Sequence, residues 1–336
     1  MAEIKNNITI IGRLLKKSRT LAKIVYNFFF NHPIGYIYMF HMVRPKEDYI
    51  SGLDGIRVSP KFFERFLKER SKYIDFISID ELSQRVKSHS KGQKPFGVVT
   101  FDDGYDDNFI YAYPILKKLQ IPFVIYIAVN LINDHRPVWN YPLIIERIIN
   151  RNTVLQLGNG NVYSCATEQE KNDVFLNLKS LMFSWPHKQL HTEFLRIFGP
   201  YLTEEMFPVD TLSLEQIKEL AEDPLCTIGA HTMSHFNLMT NDTEALSYEL
   251  GRSKSILEQI TGKPVLHMSY PYGYASIEAQ HFAKEVGYAT APLAGGGPIR
   301  EKDKEIDMYR LKRIYVKETS GFLFVKSANI LKENMY

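Results

Sequence analysis

Apolar residues between about 34 and 127 fall into short, solid runs separated by amphipathic stretches. Ile34 to His41 is an unbroken β-prone run that ends in a histidine, and Phe96 to Phe101 is a second that stops at Asp102 and Asp103. Pro122 to Ile127 is a third. Solid runs of this length predict strands buried on both faces, as in a parallel sheet. Between them, Pro60 to Glu69, Asp80 to Lys87 and Tyr113 to Leu119 carry helical periodicity, and the first two open on a proline or an acidic residue suited to a helix start. The alternation predicts an α/β fold, a distorted (β/α) barrel whose site lies at the C-terminal ends of its strands. From about 131 to 210 the rhythm is lost, and an insertion is expected there, with 157–161 as a turn between short strands. It returns with helices at Leu214 to Glu222 and Glu244 to Thr261 and a strand leading into Ser269. The expected organisation is an N-terminal helical segment, 1–33, followed by a barrel domain, 34–336.

Length and charge narrow the classes. A chain of 336 residues can bury one large core. A net charge of +3, with no basic block interleaved with aromatics, gives no reason to expect nucleic acid. Two cysteines, Cys165 and Cys226, do not make a disulfide framework, so a cytoplasmic location is the default. In the first segment Ile11, Leu14, Leu15, Leu21, Val25 and Phe28 fall roughly on one helical face, which suits either packing on the barrel or peripheral contact with a membrane.

The chemistry sits at two points. Asp102 and Asp103 end a strand, where adjacent side chains point to opposite faces, so both can serve one site only if the chain turns, and Gly104 permits the turn. His231 and His235, four residues apart after an apolar stretch, would share one side of a helical turn if their segment is helical. One carboxylate and two imidazoles leave coordination positions open on a divalent ion, as a hydrolytic zinc site requires. Asp106 and Asp107 follow closely enough to suggest further ligands, but solvated carboxylates are the expectation.

The segments Thr100-Phe101-Asp102-Asp103-Gly104, His231-Thr232-Met233-Ser234-His235 and Tyr270-Pro271-Tyr272-Gly273, in that order, resemble the polysaccharide deacetylase (NodB-like) family of carbohydrate esterases. The resemblance implies metal-dependent removal of acetyl groups from N-acetylated sugars of a glycan or glycan precursor. Carried over by position, it implies Asp103, His231 and His235 as ligands of a divalent metal, zinc first among the choices. It also implies Asp102 as general base and the backbone amide of Tyr272 as a donor to the oxyanion. The family often has an arginine where this chain has Ser269; Arg313 supplies that charge from another strand or is a solvated strand end. A C-terminal histidine motif for the general acid is absent. His41, after a strand as in circularly permuted members, takes that role or is a core histidine, with His267 a weaker rival. Tyr105, Trp139, Pro271 and Arg313 are the expected substrate contacts, although Trp139 fits the insertion's own core equally well. The rival readings are a catalytically silent carbohydrate-binding protein and an O-acetyl esterase.

Overall fold

The computed structural model describes residues 33–45, 56–90, 92–133, 139–185, 189–207, 210–300 and 306–318. The N-terminal segment, with its membrane reading, lies outside the described residues. Among them, no helix is long and apolar enough to cross a membrane.

The solid apolar runs form the central sheet. Its six principal strands are β1 (Pro33–Phe40), β2 (Phe96–Phe101), β3 (Phe123–Ile127), β4 (Cys226–Ala230), β5 (Pro292–Gly296) and β6 (Leu311–Tyr315). They lie in the spatial order β5-β6-β1-β2-β3-β4, every pairing parallel. All residues of β2 and β3 are buried, as expected of strands covered on both faces. The predicted strand before Ser269 is a chain of single bridges that closes the ring between β4 and β5. Ala230 donates to the His267 carbonyl (2.9 Å), Ser269 to the Ala230 carbonyl (2.9 Å) and Met268 to the Thr290 carbonyl (3.0 Å).

Register then decides which side chains meet. Phe40 pairs with Phe101, so His41 and Asp102 leave the sheet side by side, with Asp102 N–H donating to the Phe40 carbonyl at 3.1 Å. Ile127 pairs with Ala230, and His231 N–H continues that ladder onto the Ile127 carbonyl at 2.8 Å. Met39 pairs with Tyr315, which carries Arg313 and Tyr315 up the neighbouring strand. Three strand ends and the last strand thus converge on one end of the barrel.

Between β3 and β4, helices Tyr141–Arg151, Glu168–Ser184 and Leu190–Phe198 and a small hairpin, Val154–Gln156 with Val162–Ser164, build a second apolar core around Ile144, Ile148, Phe175, Phe194 and Phe198. Met42 and Tyr105 from the barrel side belong to the same cluster. A buried ion pair joins the two bodies: Arg57 Nη1 and Nη2 donate to Glu146 Oε1 and Oε2 at 2.7 and 2.6 Å.

Candidate metal centre

At the end of β2 the backbone turns at Asp103 itself, which has φ 76°, one residue before Gly104 at φ 81°. A turn centred on the glycine alone is therefore corrected, and the early turn is what lets two consecutive carboxylates enter one site. Asp102 keeps to the barrel interior. Both of its oxygens are taken by Arg313, Nη1 to Oδ1 and Nη2 to Oδ2, each at 2.7 Å. Arg313 is 1% exposed, so it is not a solvated strand end. It also donates to Ser269 Oγ (2.8 Å) and the Leu293 carbonyl (2.8 Å). Burial pushes the Asp102 carboxyl up, but the charges of Arg313 and His231 outweigh it and hold the group below its ordinary value.

The histidine segment is not helical. Residues 232–234 form a turn with Thr232 at φ 66° and His235 at φ 56°. Sequence spacing suggested a helical face; two left-handed residues bring the imidazoles together instead, their ring centroids 4.9 Å apart. Glu249 holds the turn, accepting from Met233 N–H (2.9 Å), Ser234 N–H (3.0 Å) and Ser234 Oγ (2.6 Å). It is 4% exposed and sits in a stretch of wider helical turns, Ser247–Arg252, that interrupts the expected single helix. Sequence reasoning missed Glu249. Its signal was a carboxylate on the same helical face as Leu246 and Leu250, residues with no exposure to water to speak of.

Three donors then converge. Asp103 Oδ1 lies 3.4 Å from His231 Nε2 and 3.2 Å from His235 Nε2, and all three ligand atoms fall within 4.8 Å of one another. Oδ1 is buried and has no hydrogen bond of acceptable geometry. For donors about 2.0–2.1 Å from a tetrahedral ion the ligand-to-ligand edge is roughly 3.3 Å, so the two short separations fit a shared cation better than hydrogen bonds. His231 Nδ1 is 2.9 Å from the Ser269 carbonyl, which requires a proton on Nδ1 and leaves the Nε2 lone pair for the centre. Burial pushes Asp103 up, yet His235 and His231 hold its carboxyl well below the usual carboxylate range. Opposite the histidines, Tyr272 at φ 60° sets its ring edge against His235, centroids 4.6 Å apart.

Residues 89–291 match the sequence model of the polysaccharide deacetylase family. The chain belongs to that family. It is a hydrolase of the deacetylase type, with an acetylated glycan as its substrate class. YxkH of Bacillus subtilis (strain 168), whose name places it among polysaccharide deacetylases, is 23% identical over 80% of this chain and 68% of its own length. Three solved structures share the fold. IcaB from Ammonifex degensii has a TM-score of 0.57 at 17% identity, over 86% of this chain and 94% of that one. The polysaccharide deacetylase BC0361 from Bacillus cereus has 0.55 at 19%, over 87% and 67%. The Streptococcus pyogenes deacetylase PplD, solved with acetate, has 0.54 at 17%, over 85% and 94%.

The remaining expected site residues of this deacetylase divide. His41 is at the centre: burial lowers its basicity while the Asp103 and Asp102 carboxylates pull the other way. Pro271 is buried at the start of the short turn that carries Tyr272. Tyr105 is 3% exposed and has no free face for a sugar ring; its ring belongs to the second core, and its hydroxyl accepts from Asn140 Nδ2 at 3.4 Å and feels the Asp103 carboxylate, which adds to burial in pushing the phenol up. Trp139 packs edge-on to His191 and Phe207 (4.5 and 4.8 Å), which makes it part of that core's aromatic cluster. His267 has both ring nitrogens engaged, by Thr290 Oγ1 (2.9 Å) and Asp80 Oδ1 (2.8 Å), away from the three donors. The expectation of solvated Asp106 and Asp107 fails for Asp107, which is 1% exposed and accepts from Val43 N–H (3.0 Å) and Arg44 Nε (2.7 Å). It ties the loop after β1 to the Asp102 turn.

Proposed function

We propose that the chain is a divalent-metal-dependent N-deacetylase acting on N-acetylated sugars of a glycan or glycan precursor. The observation that carries this reading is an arginine-held carboxylate, Asp102, directly beside the Asp103, His231 and His235 donor set. Those three residues would hold the ion. One carboxylate and two imidazoles suit zinc, with cobalt or nickel as alternatives. When bound, the ion supplies Lewis acidity for the acetamide carbonyl and for a water molecule.

The protein's own groups do the rest. Asp102 accepts the proton of the attacking water, and its pairing with Arg313 keeps it ionised and fixed in direction. The backbone N–H of Tyr272 donates to the developing oxyanion, and a donor of this kind contributes about 3 kcal/mol. His41, on the neighbouring strand end, delivers a proton to the departing amine nitrogen. A low basicity favours that release once the imidazole has been charged. Metal dependence, the N-acetyl bond and these assignments stand or fall together with two measurements. Elemental analysis should find about one divalent ion per chain, lost in His235→Ala, as for a site with three protein ligands. Acetate should be released from an N-acetylglucosamine oligomer and not preferentially from an O-acetylated one. A wild-type chain that neither contains nor takes up zinc would leave a silent glycan binder, and preferred release from the ester would move the chemistry to O-acetyl groups.

A further inference from the structure

Strand β6 alternates in burial over its first three residues, with Leu311 and Arg313 buried and Lys312 between them exposed, and both Ile314 and Tyr315 are half-buried. By that alternation Tyr315 continues the face of Leu311 and Arg313. The strand is held to β1 at this level by the Met39 pairing and by Val316 N–H donating to the Met39 carbonyl at 3.1 Å. Since Met39 and His41 are two residues apart, Tyr315 reaches His41 on the same side of the sheet, ring centroids 5.7 Å apart at 73°. Arg313 holds the proposed base and Tyr315, two residues on, meets the proposed acid.

His41 needs such a neighbour. Its backbone is fixed, with the carbonyl accepting from Asn108 Nδ2 at 2.8 Å. Its ring is held differently, because Nδ1 is buried and has no hydrogen-bond partner among the described residues. Packing, not a hydrogen bond at Nδ1, sets the imidazole's orientation, and an edge-to-face aromatic contact of this geometry is directional. The outer side of the tyrosine is braced in turn, with the Lys317 ammonium 4.9 Å from its ring centroid.

We propose that Tyr315 is a positioning residue that orients His41 toward the departing amine, acting through its ring and not through its hydroxyl. The inference rests on the assignment of His41 as proton donor. It assigns Tyr315 no contact with substrate or metal, which separates it from the three donors, Asp102, Tyr272 and His41.

The test is a double-mutant cycle on the full chain, reading kcat, KM and bound zinc with an N-acetylglucosamine oligomer. Tyr315→Ala should lower kcat roughly 10- to 100-fold, the range in which a displaced catalytic group acts, with KM and zinc content unchanged. Tyr315→Phe should stay within about threefold of wild type, because the ring contact survives. In a His41→Ala background Tyr315→Ala should cost nothing further, since its target is gone. Tyr315→Leu, closer in volume, repeats the measurement should the alanine variant unfold. Full additivity of the two losses overturns the proposal, as does a phenylalanine variant as slow as alanine, or a change confined to KM. If His41→Ala alone turns over normally, it is the proton-donor assignment that fails. A slow His41→Ala enzyme with additive Tyr315→Ala loss sinks only the role of Tyr315.

Discussion

Glu249→Ala should weaken metal binding without touching a ligand. The carboxylate accepts three hydrogen bonds from the turn between the two histidines, two at Oε2 from backbone amides and one at Oε1 from Ser234. Bonds to an ionised acceptor contribute about 1.5–3 kcal/mol each. The same turn carries two non-glycine residues in the left-handed region, Thr232 and His235, at about 1–3 kcal/mol each. The clamp therefore outweighs the strain, and its removal lets the turn relax and the His235 ring leave its place 3.2 Å from Asp103. Loss of a partner at this remove from the metal typically lowers affinity about 10- to 100-fold, or 1.4–2.8 kcal/mol. Glu249→Gln separates charge from hydrogen bonding. Its single carbonyl oxygen can serve both amides as Oε2 does, and its NH2 can donate to Ser234 Oγ, so roughly a threefold loss is expected. Zinc affinity is read by chelator competition, with thermal unfolding of the metal-free chains alongside. Wild-type affinity in Glu249→Ala, or equal losses in both variants, would refute the account of the turn as a strained element held by three bonds.

Arg313→Ala leaves a buried carboxylate unpaired and should cost about 3–5 kcal/mol of stability together with most of kcat, whereas Arg313→Lys, a single point charge, should fall between; denaturant unfolding and steady-state kinetics measure both. Glu146→Ala should destabilise by up to about 3–5 kcal/mol by removing the bidentate partner of buried Arg57, and the apolar pair Arg57→Met with Glu146→Leu should recover most of it, again by denaturant unfolding. Asp106 supplies a pH test. Burial and then Asp107 push its carboxyl up to about 6, against Arg44. A folded value above the unfolded one means that the native state binds the extra proton, so this contribution is full below the ordinary value and is lost as pH rises through about 6. Relative to wild type, Asp106→Asn should therefore gain stability as pH rises from about 4 to about 7; a constant difference across that window would contradict the sign.

How far the sequence discloses this centre depends on what each element encodes locally. Strands such as Phe96 to Phe101 are legible because burial on both faces demands a solid apolar run, and the ends of such strands locate Asp102, Asp103 and His41. The turn chemistry is not legible. Asp103, Thr232, His235 and Tyr272 all have positive φ, and none is a glycine, the residue that would have announced a left-handed position. Thr232 and His235 flank the two amides held by Glu249, a tertiary restraint that no local pattern carries. Tyr105 misleads in the opposite way. Its place beside the motif suggested a sugar platform, but the second core needed an apolar ring there and buried it.

Among the non-glycine residues described, the one other left-handed position, Gln120, ends a helix, an ordinary use of that conformation. The strain is otherwise concentrated where β2, β4 and the Tyr272 turn meet. Strain of about 1–3 kcal/mol per residue persists only where the surroundings over-determine it, and here Asp103, His235 and Thr232 each have an identifiable restraint. Asp103 follows an Asp102 fixed by Arg313, and His235 is fixed between Asp103 and Tyr272. Thr232 accepts from Phe236 N–H at 3.1 Å and lies next to the amides gripped by Glu249. Two of the anchors, Arg313 and Glu249, come from segments far along the chain from Asp102. The Arg313 anchor is in place only while β6 is paired with β1. Metal affinity should therefore be a property of the closed barrel and should be lost in any variant that opens the β1–β6 edge while leaving all three ligands intact.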